Sequence, residues 1–299
     1  MNMEKIGNGS VISLAHIYDY RLPIWPVGRV KCPLIIESSW GAVRFDHGIP
    51  NGRHQDIIEA IAVCALSTKF DEDHRLNVLF DAVEVKLLLL SDDWHWIKSK
   101  LTELKEVAVT IKPSGENWGQ TWRVLDDVGD SKADAPRTGN KFKAKLKKIT
   151  FSKHWTAMLE SSLIVNAKPE IIKSVLGLKN QVSRNLARWC LSHATNQHHQ
   201  LCKAMDAIGC GGGARMARKY ALQLTMDDYG LRDLGIKIAD NTVHYERTKG
   251  IWFQRRTKTT EPISAGDIDN RNQYRLEPEP LSAVKEGVRN HIRLDSKVP

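Results

Sequence analysis

The 299-residue chain is poor in cysteine and has no CxxC pair: Cys32, Cys64, Cys190, Cys202 and Cys210 are odd in number and scattered. That excludes a disulfide framework and a four-cysteine zinc site, and it fits a reducing cytoplasm. Long hydrophobic runs are missing as well. Stretches such as Leu87 to Leu90 fall far short of the roughly 20 apolar residues a membrane span needs. The N-terminus lacks the basic, apolar, small-residue succession of a signal peptide, so a soluble cytoplasmic protein is expected. No GxxxxGKS/T motif is present, which removes a P-loop nucleotide site. No two histidines flank a single apolar residue, the metal-holding spacing of a rolling-circle nuclease; His198 and His199 are adjacent and would face opposite sides of a strand. His198 and Cys202, four residues apart with Cys210 downstream, make an incomplete zinc set in which Cys202 fits the core of a short helix. No cofactor, metal or catalytic residue is expected.

What the chain has is charge of two signs kept apart. Residues 1–130 hold 14 Lys and Arg against 19 Asp and Glu, a net of −5, whereas residues 131–299 hold 30 against 16, a net of +14. With 41% apolar and 26% charged residues the composition is globular and suffices for two domains. The contrast implies that the second half meets a polyanion, most commonly nucleic acid. The turn-rich stretch Asp126 to Asn140 lies at the switch. It predicts a linker over 131–140 between an acidic domain, 1–130, and a basic one, 141–256; the polar remainder, 257–299, reads as a partly disordered tail with a short helix near Leu281 to Ile292.

Periodicity orders the elements within each half. Arg53 to Leu66 places Ile57, Ile58, Ile61 and Ala65 on one helical face. Leu76 to Phe80 reads as a strand and Ala82 to Leu90 as a helix. Ser91, Asp92 and Asp93 start another helix, carrying Ile97, Leu101 and Leu104. Val107 to Ile111 and Gln120 to Leu125 form a hairpin. Helix, strand, helix, helix, hairpin is the order of a winged helix, and the second half repeats it. Leu178 to His193 puts Leu178, Val182, Leu186 and Trp189 on one face and Arg184 and Arg188 elsewhere. Leu201 to Ile208 is a short helix ended by Gly209 and the run Gly211 to Gly213. A third helix begins near Ala214, with Ala217, Tyr220, Ala221 and Leu224 inward and Arg215, Arg218, Lys219 and Leu222 outward. Ile236 to Tyr245 is a hairpin turning at Asp240 and Asn241, and Ile251 to Gln254 adds a strand. Trp155, Trp189 and Trp252 read as core of the second domain. The fold class expected is α+β, two tandem winged helices.

A helix with a basic outer face, following a short helix and a turn, presents its side chains to a DNA major groove. Arg215, Arg218 and Lys219 are the candidates there, the arginines for guanine edges because a planar fork makes two parallel bonds. A solvated basic face is the competing reading; the hairpin and the charge of the half-chain favour DNA. Arg184 and Arg188 add to the basic surface. Lys237, His244 and Arg247 on the hairpin, with Arg255 and Arg256 beyond it, suit the sugar-phosphate backbone. Lys145 and Lys147 belong to an alternating basic run from Lys141 to Lys148, which either tracks phosphates or protects an edge strand.

The run GRVKCPLIIESSWGAVRFDHGIPNGRHQDIIEAIAVCA from Gly28, the following FDAVEVKLLLLSDDWHWIKSKLTELKEVAVTIK, and LKNQVSRNLARWCLSH with ARMARKYALQL resemble the plasmid replication initiators, or Rep proteins, that bind repeated origin sequences called iterons. The resemblance spans about residues 28 to 255 in element order. It implies a double-stranded DNA-binding initiator without catalysis of its own. Its first winged helix would mediate homodimerisation and its second would read the iteron. Dimers would repress the protein's own gene, and monomers would open the origin and help to load the host helicase. A tandem winged-helix transcriptional regulator without a replication role is the alternative. An enzyme acting on nucleic acid is disfavoured, because no metal or nucleophile set has suitable spacing.

Overall fold

The computed structural model describes residues 12–16, 20–27, 34–38, 41–130, 146–160, 163–210, 214–247 and 251–255. These belong to one compact unit, Met1–Lys258. The expected linker 131–140, Gly211 to Gly213, the tail 257–299 and its helix near Leu281 lie outside the described residues.

The first half is α+β. Strands β1 (Ile12–His16), β2 (Leu34–Ser38) and β3 (Gly41–His47) precede α1 (Gly52–Val63). Asn51 caps α1 by accepting from the Arg53 amide at 3.0 Å, and the His54 ring takes the Asn51 amide in return at 3.0 Å. Ile57, Ile58 and Ile61 face the core as expected, but the helix stops at Val63. Ala65 instead opens β4 (Ala65–Phe70), which pairs with β5 (Leu76–Asp81) in a hairpin closed by Asp71 and Arg75. A ladder of interstrand bonds outweighs the helical continuation that local spacing favoured. Next come α2 (Ala82–Leu88), α3 (Trp94–Glu106, capped by Asp93), β6 (Ala108–Pro113) and β7 (Thr121–Arg123).

The expected elements follow in the expected order with β4 inserted among them, and the sheet membership differs. The β6–β7 hairpin extends the sheet β2-β3-β6-β7, and β5 lies in a second sheet ordered β4-β5-β9-β8. The chain passes between these sheets at buried Val124, where β7 gives way to β8 (Leu125–Asp130). Asp126 to Asp130, the first part of the turn-rich stretch, is therefore strand, and its carboxylates meet Arg75, Lys105 and Lys147. β9 (Leu146–Phe151), from beyond the linker, inserts between β5 and β8. Its Ile149 and Phe151, with Trp155 on α4 (Lys153–Leu159), join the first-half core beside Trp25 and Trp122. Trp155 is thus core of the first half and not of the second.

The second half begins with β10 (Leu163–Ala167), α5 (Pro169–Gly177) and α6 (Gln181–Leu191). After them come β11 (Gln197–Gln200), α7 (Leu201–Ala207), α8 (Ala214–Met226), α9 (Asp228–Asp233), β12 (Ile236–Ala239) and β13 (Thr242–Tyr245). β14 (Ile251–Arg255), the expected extra strand, pairs with β10 in the sheet β1-β10-β14. A second core gathers Val182, Leu186, Trp189, Tyr220, Leu224, Ile236 and Tyr245.

The halves meet along α1. The N-termini of α1 and α6 lie side by side there: a Cβ at Gly52 would meet the end of the Gln181 side chain at 1.6 Å, so a larger residue at 52 would require that side chain to turn away. Among the described residues no helix is long and apolar enough to cross a membrane.

Candidate nucleic-acid interface

Helix α7 ends where expected, in a Schellman turn. Ile208 is its C-cap, Gly209 takes φ +73°, and the Gly209 and Cys210 amides donate back to the Asp206 and Met205 carbonyls at 3.1 and 2.9 Å. Beyond it α8 buries Tyr220 and Leu224 in the second core. Ala217 and Ala221, expected inward, are exposed, because the core reaches only the two larger side chains. The far end of α8 is held by Asp227. That carboxylate accepts from the Lys179 and Asn180 amides at 2.8 and 2.9 Å, and the Asn180 side chain donates to the Gln223 carbonyl at 3.1 Å. Burial opposes the charge of Asp227, yet these donors prevail and hold it below the usual carboxylate range. The N-terminus of α6 and the C-terminus of α8 are fixed to one another by this side chain.

Arg215, Arg218 and Lys219 all project from α8 into solvent, and among the described residues none has an ion-pair partner. Following α9, β12 and β13 form a two-residue hairpin whose turn residues Asp240 and Asn241 have φ 49° and 56°, the left-handed pair of a type I′ turn. β11 completes the sheet in the order β11-β13-β12. Cross-strand register places His198 opposite His244 and His244 opposite Lys237, so the three form a row across the sheet, with the imidazole Nδ1 atoms 2.8 Å apart. Lys237 and Arg247 are exposed, the latter where its amide donates to the Asn196 side chain at 2.8 Å. His198 was not among the hairpin candidates. Its place depends on pairing with a strand more than 40 residues away, which no local pattern reports.

Arg184 and Arg188 require a correction. They are 4% and 2% exposed, and both turn inward against α1. Arg188 donates to Asp56 at 2.6 Å and to both oxygens of Glu59 at 2.8 and 2.6 Å, Arg184 pairs with Asp56 at 3.2 Å, and Tyr20 donates to Glu59 at 2.8 Å. Burial works against the Arg188 charge, but the two carboxylates raise its proton affinity above that of a free arginine. A guanidinium so enclosed cannot reach a phosphate. Lys147 is likewise engaged, by Asp130 and 5.5 Å above the Trp94 ring, on an inner strand and not an edge one. Arg255 closes β14 in register with Leu163, while Lys145 and Arg256 lie outside the described residues.

No metal site emerges among the described residues, where no group of three or more His, Cys, Asp or Glu could hold an ion. His198 pairs with His244, His199 packs edge-on to Trp189 at 4.8 Å, Cys202 is exposed and not core, and Cys210 is buried with its thiol pushed up by burial.

No protein-family model and no curated protein matches the sequence. Among solved structures, a selenomethionine crystal structure of domains 2 and 3 of RctB is similar in fold, with a TM-score of 0.50 and 10% identity over 80% of this chain and 96% of that one. A second crystal structure of RctB domains 2–3 aligns with a TM-score of 0.43 and 12% identity over 74% of this chain and 94% of that one.

Proposed function

We propose that the chain is a sequence-specific double-stranded DNA-binding protein that initiates plasmid replication by binding repeats at an origin and recruiting host replication proteins. The observation that carries this reading is the exposed set Arg215, Arg218 and Lys219 on α8, which has no ion-pair partner among the described residues. It stands in a unit ordered α6-β11-α7-α8-α9-β12-β13. We read that succession, with the short helix α9 inserted before the hairpin β12–β13 of a three-stranded sheet, as a winged helix. In it α8 enters the major groove, Arg215 and Arg218 reach guanine O6 and N7, and Lys237 on the hairpin meets phosphate. The fold likeness to domains of RctB, a replication initiator, supports the replication theme. The acidic first half serves homodimerisation and contact with the host helicase, and the protein acts without catalysis of its own.

The test is selection of bound sequences from a random duplex pool, followed by affinity for the winner and a scrambled duplex at two salt concentrations. Base readout requires a ratio above about a thousandfold. Direct repeats of the motif beside the gene, and melting of that DNA with the host helicase, mark an initiator. Binding without melting would leave a transcriptional regulator. Steep salt dependence without a motif would leave a non-specific binder.

A further inference from the structure

The outer face of α8 is not uniformly basic. Leu222 and Met226 are 65% and 60% exposed, and they follow Arg215, Arg218 and Lys219 at helical spacing along one face. Large apolar side chains left in water on the face proposed to enter a groove need an occupant. Resting on the DNA-binding reading above, we propose that Leu222 and Met226 read the 5-methyl groups of thymines in the recognised site.

The face mixes cations with apolar side chains. Arg218 lies one turn before Leu222, and Lys219 three residues before it; among the described residues neither cation has an ion-pair partner. A protein-docking patch depletes lysine at its centre. The major groove presents acceptors on guanine, phosphate charge at its rims and the apolar methyl of thymine in between. Helical rise separates Arg218 from Leu222 by about 6 Å, close to two base steps of about 3.4 Å. Past Met226 the chain leaves α8, and Tyr229 on α9 is a further exposed large side chain, at 81%. Asp227 turns the chain into α9, where Asp228 pairs with Arg232 at 2.9 Å. The recognised sequence should therefore carry thymine about two steps from the guanine that Arg218 contacts.

The experiment uses the full chain and the duplex obtained from the random-pool selection, with each thymine replaced in turn by uracil, which removes the methyl and leaves base pairing unchanged. The wild type is expected to lose about fourfold in affinity at each contacted methyl, the effect of one apolar carbon returned to water. Leu222→Ala and Met226→Ala should each bind one thymine duplex and its uracil counterpart equally. Arg218→Ala should weaken both while preserving the ratio. The variants change exposed side chains, and an unaltered unfolding midpoint checks their folding. Equal wild-type affinity for thymine and uracil duplexes at every position overturns the inference while leaving DNA binding intact. So does a uracil penalty that persists in both alanine variants. Absence of any selected duplex overturns the DNA-binding reading itself.

Discussion

Helices α6 and α8 carry similar patterns, an apolar stripe on one side and arginines on the other, and they end in opposite circumstances. On α8 the arginines stand in solvent. On α6 they are enclosed, because α1 from the first half lays Asp56 and Glu59 across them. The difference does not lie in the helices. It lies in what the remainder of the chain brings to the polar face, and it separates an arginine available to a polyanion from one that fixes two halves of a protein. A basic helix face counts as a nucleic-acid surface only after its acidic neighbours in space are known.

The largest expected effect comes from breaking the enclosed set. Arg188→Met leaves Asp56 and Glu59 buried without their main partner and should cost about 3 to 5 kcal/mol of stability in urea denaturation. Arg218→Met on α8 should stay within about 0.5 kcal/mol. Equal losses for the two would erase the distinction. Acid probes burial elsewhere in the molecule. His193 is buried beside Arg21, and its Nδ1 donates to the Trp189 carbonyl at 2.9 Å. Burial, reinforced by the Arg21 charge, pushes it down to about 3, and burial lowers His54 as well. The unfolded chain then takes up protons that the folded one refuses. Stability should fall as pH drops below about 6.5 and go on falling toward the folded value, by up to about 1.4 kcal/mol per unit for each histidine. Urea midpoints at pH 7, 6 and 5 measure this, and His193→Gln should flatten the profile; an unchanged slope would remove His193 from the account.

Exchanging the readout reverses the order of the two helices. Arg218→Ala should weaken the selected duplex by about 1 to 3 kcal/mol and relax base preference, with no change in unfolding. If the substitution lowers every duplex alike, α8 is not the element that reads bases.

The elements decided by neighbours in sequence were legible. Asp93 before α3, the Asp240–Asn241 turn and the inward Tyr220 and Leu224 were all readable from local spacing and turn chemistry. The outward set on α8 was readable for the same reason. What escaped depends on partners far along the chain. Nothing near Leu146 indicates that β9 will insert between β5 and β8, and nothing near Trp155 that it will pack on Trp25. Nor does the α6 sequence say that Asp56, 132 residues from Arg188, will meet it. Polar composition misled at Asp126 to Asp130 as well, because carboxylates paired with lysine and arginine can line a strand as readily as a linker.

The smallest effect sharpens the division between helix and hairpin. Lys237 is exposed on β12 and aligned with His244, away from the core side occupied by Ile236 and Tyr245. A mobile ammonium on a hairpin suits a phosphate and not a base edge, because it is a point charge without a fixed fork. Lys237→Ala should therefore weaken every duplex to a similar degree and reduce the slope of log affinity against log salt by about one. Stability should stay within about 0.5 kcal/mol. Affinities for selected and scrambled duplexes across a salt series measure both quantities at once. A Lys237→Ala protein that keeps its salt slope but changes its preferred motif would mean that the hairpin, and not α8 alone, selects the sequence.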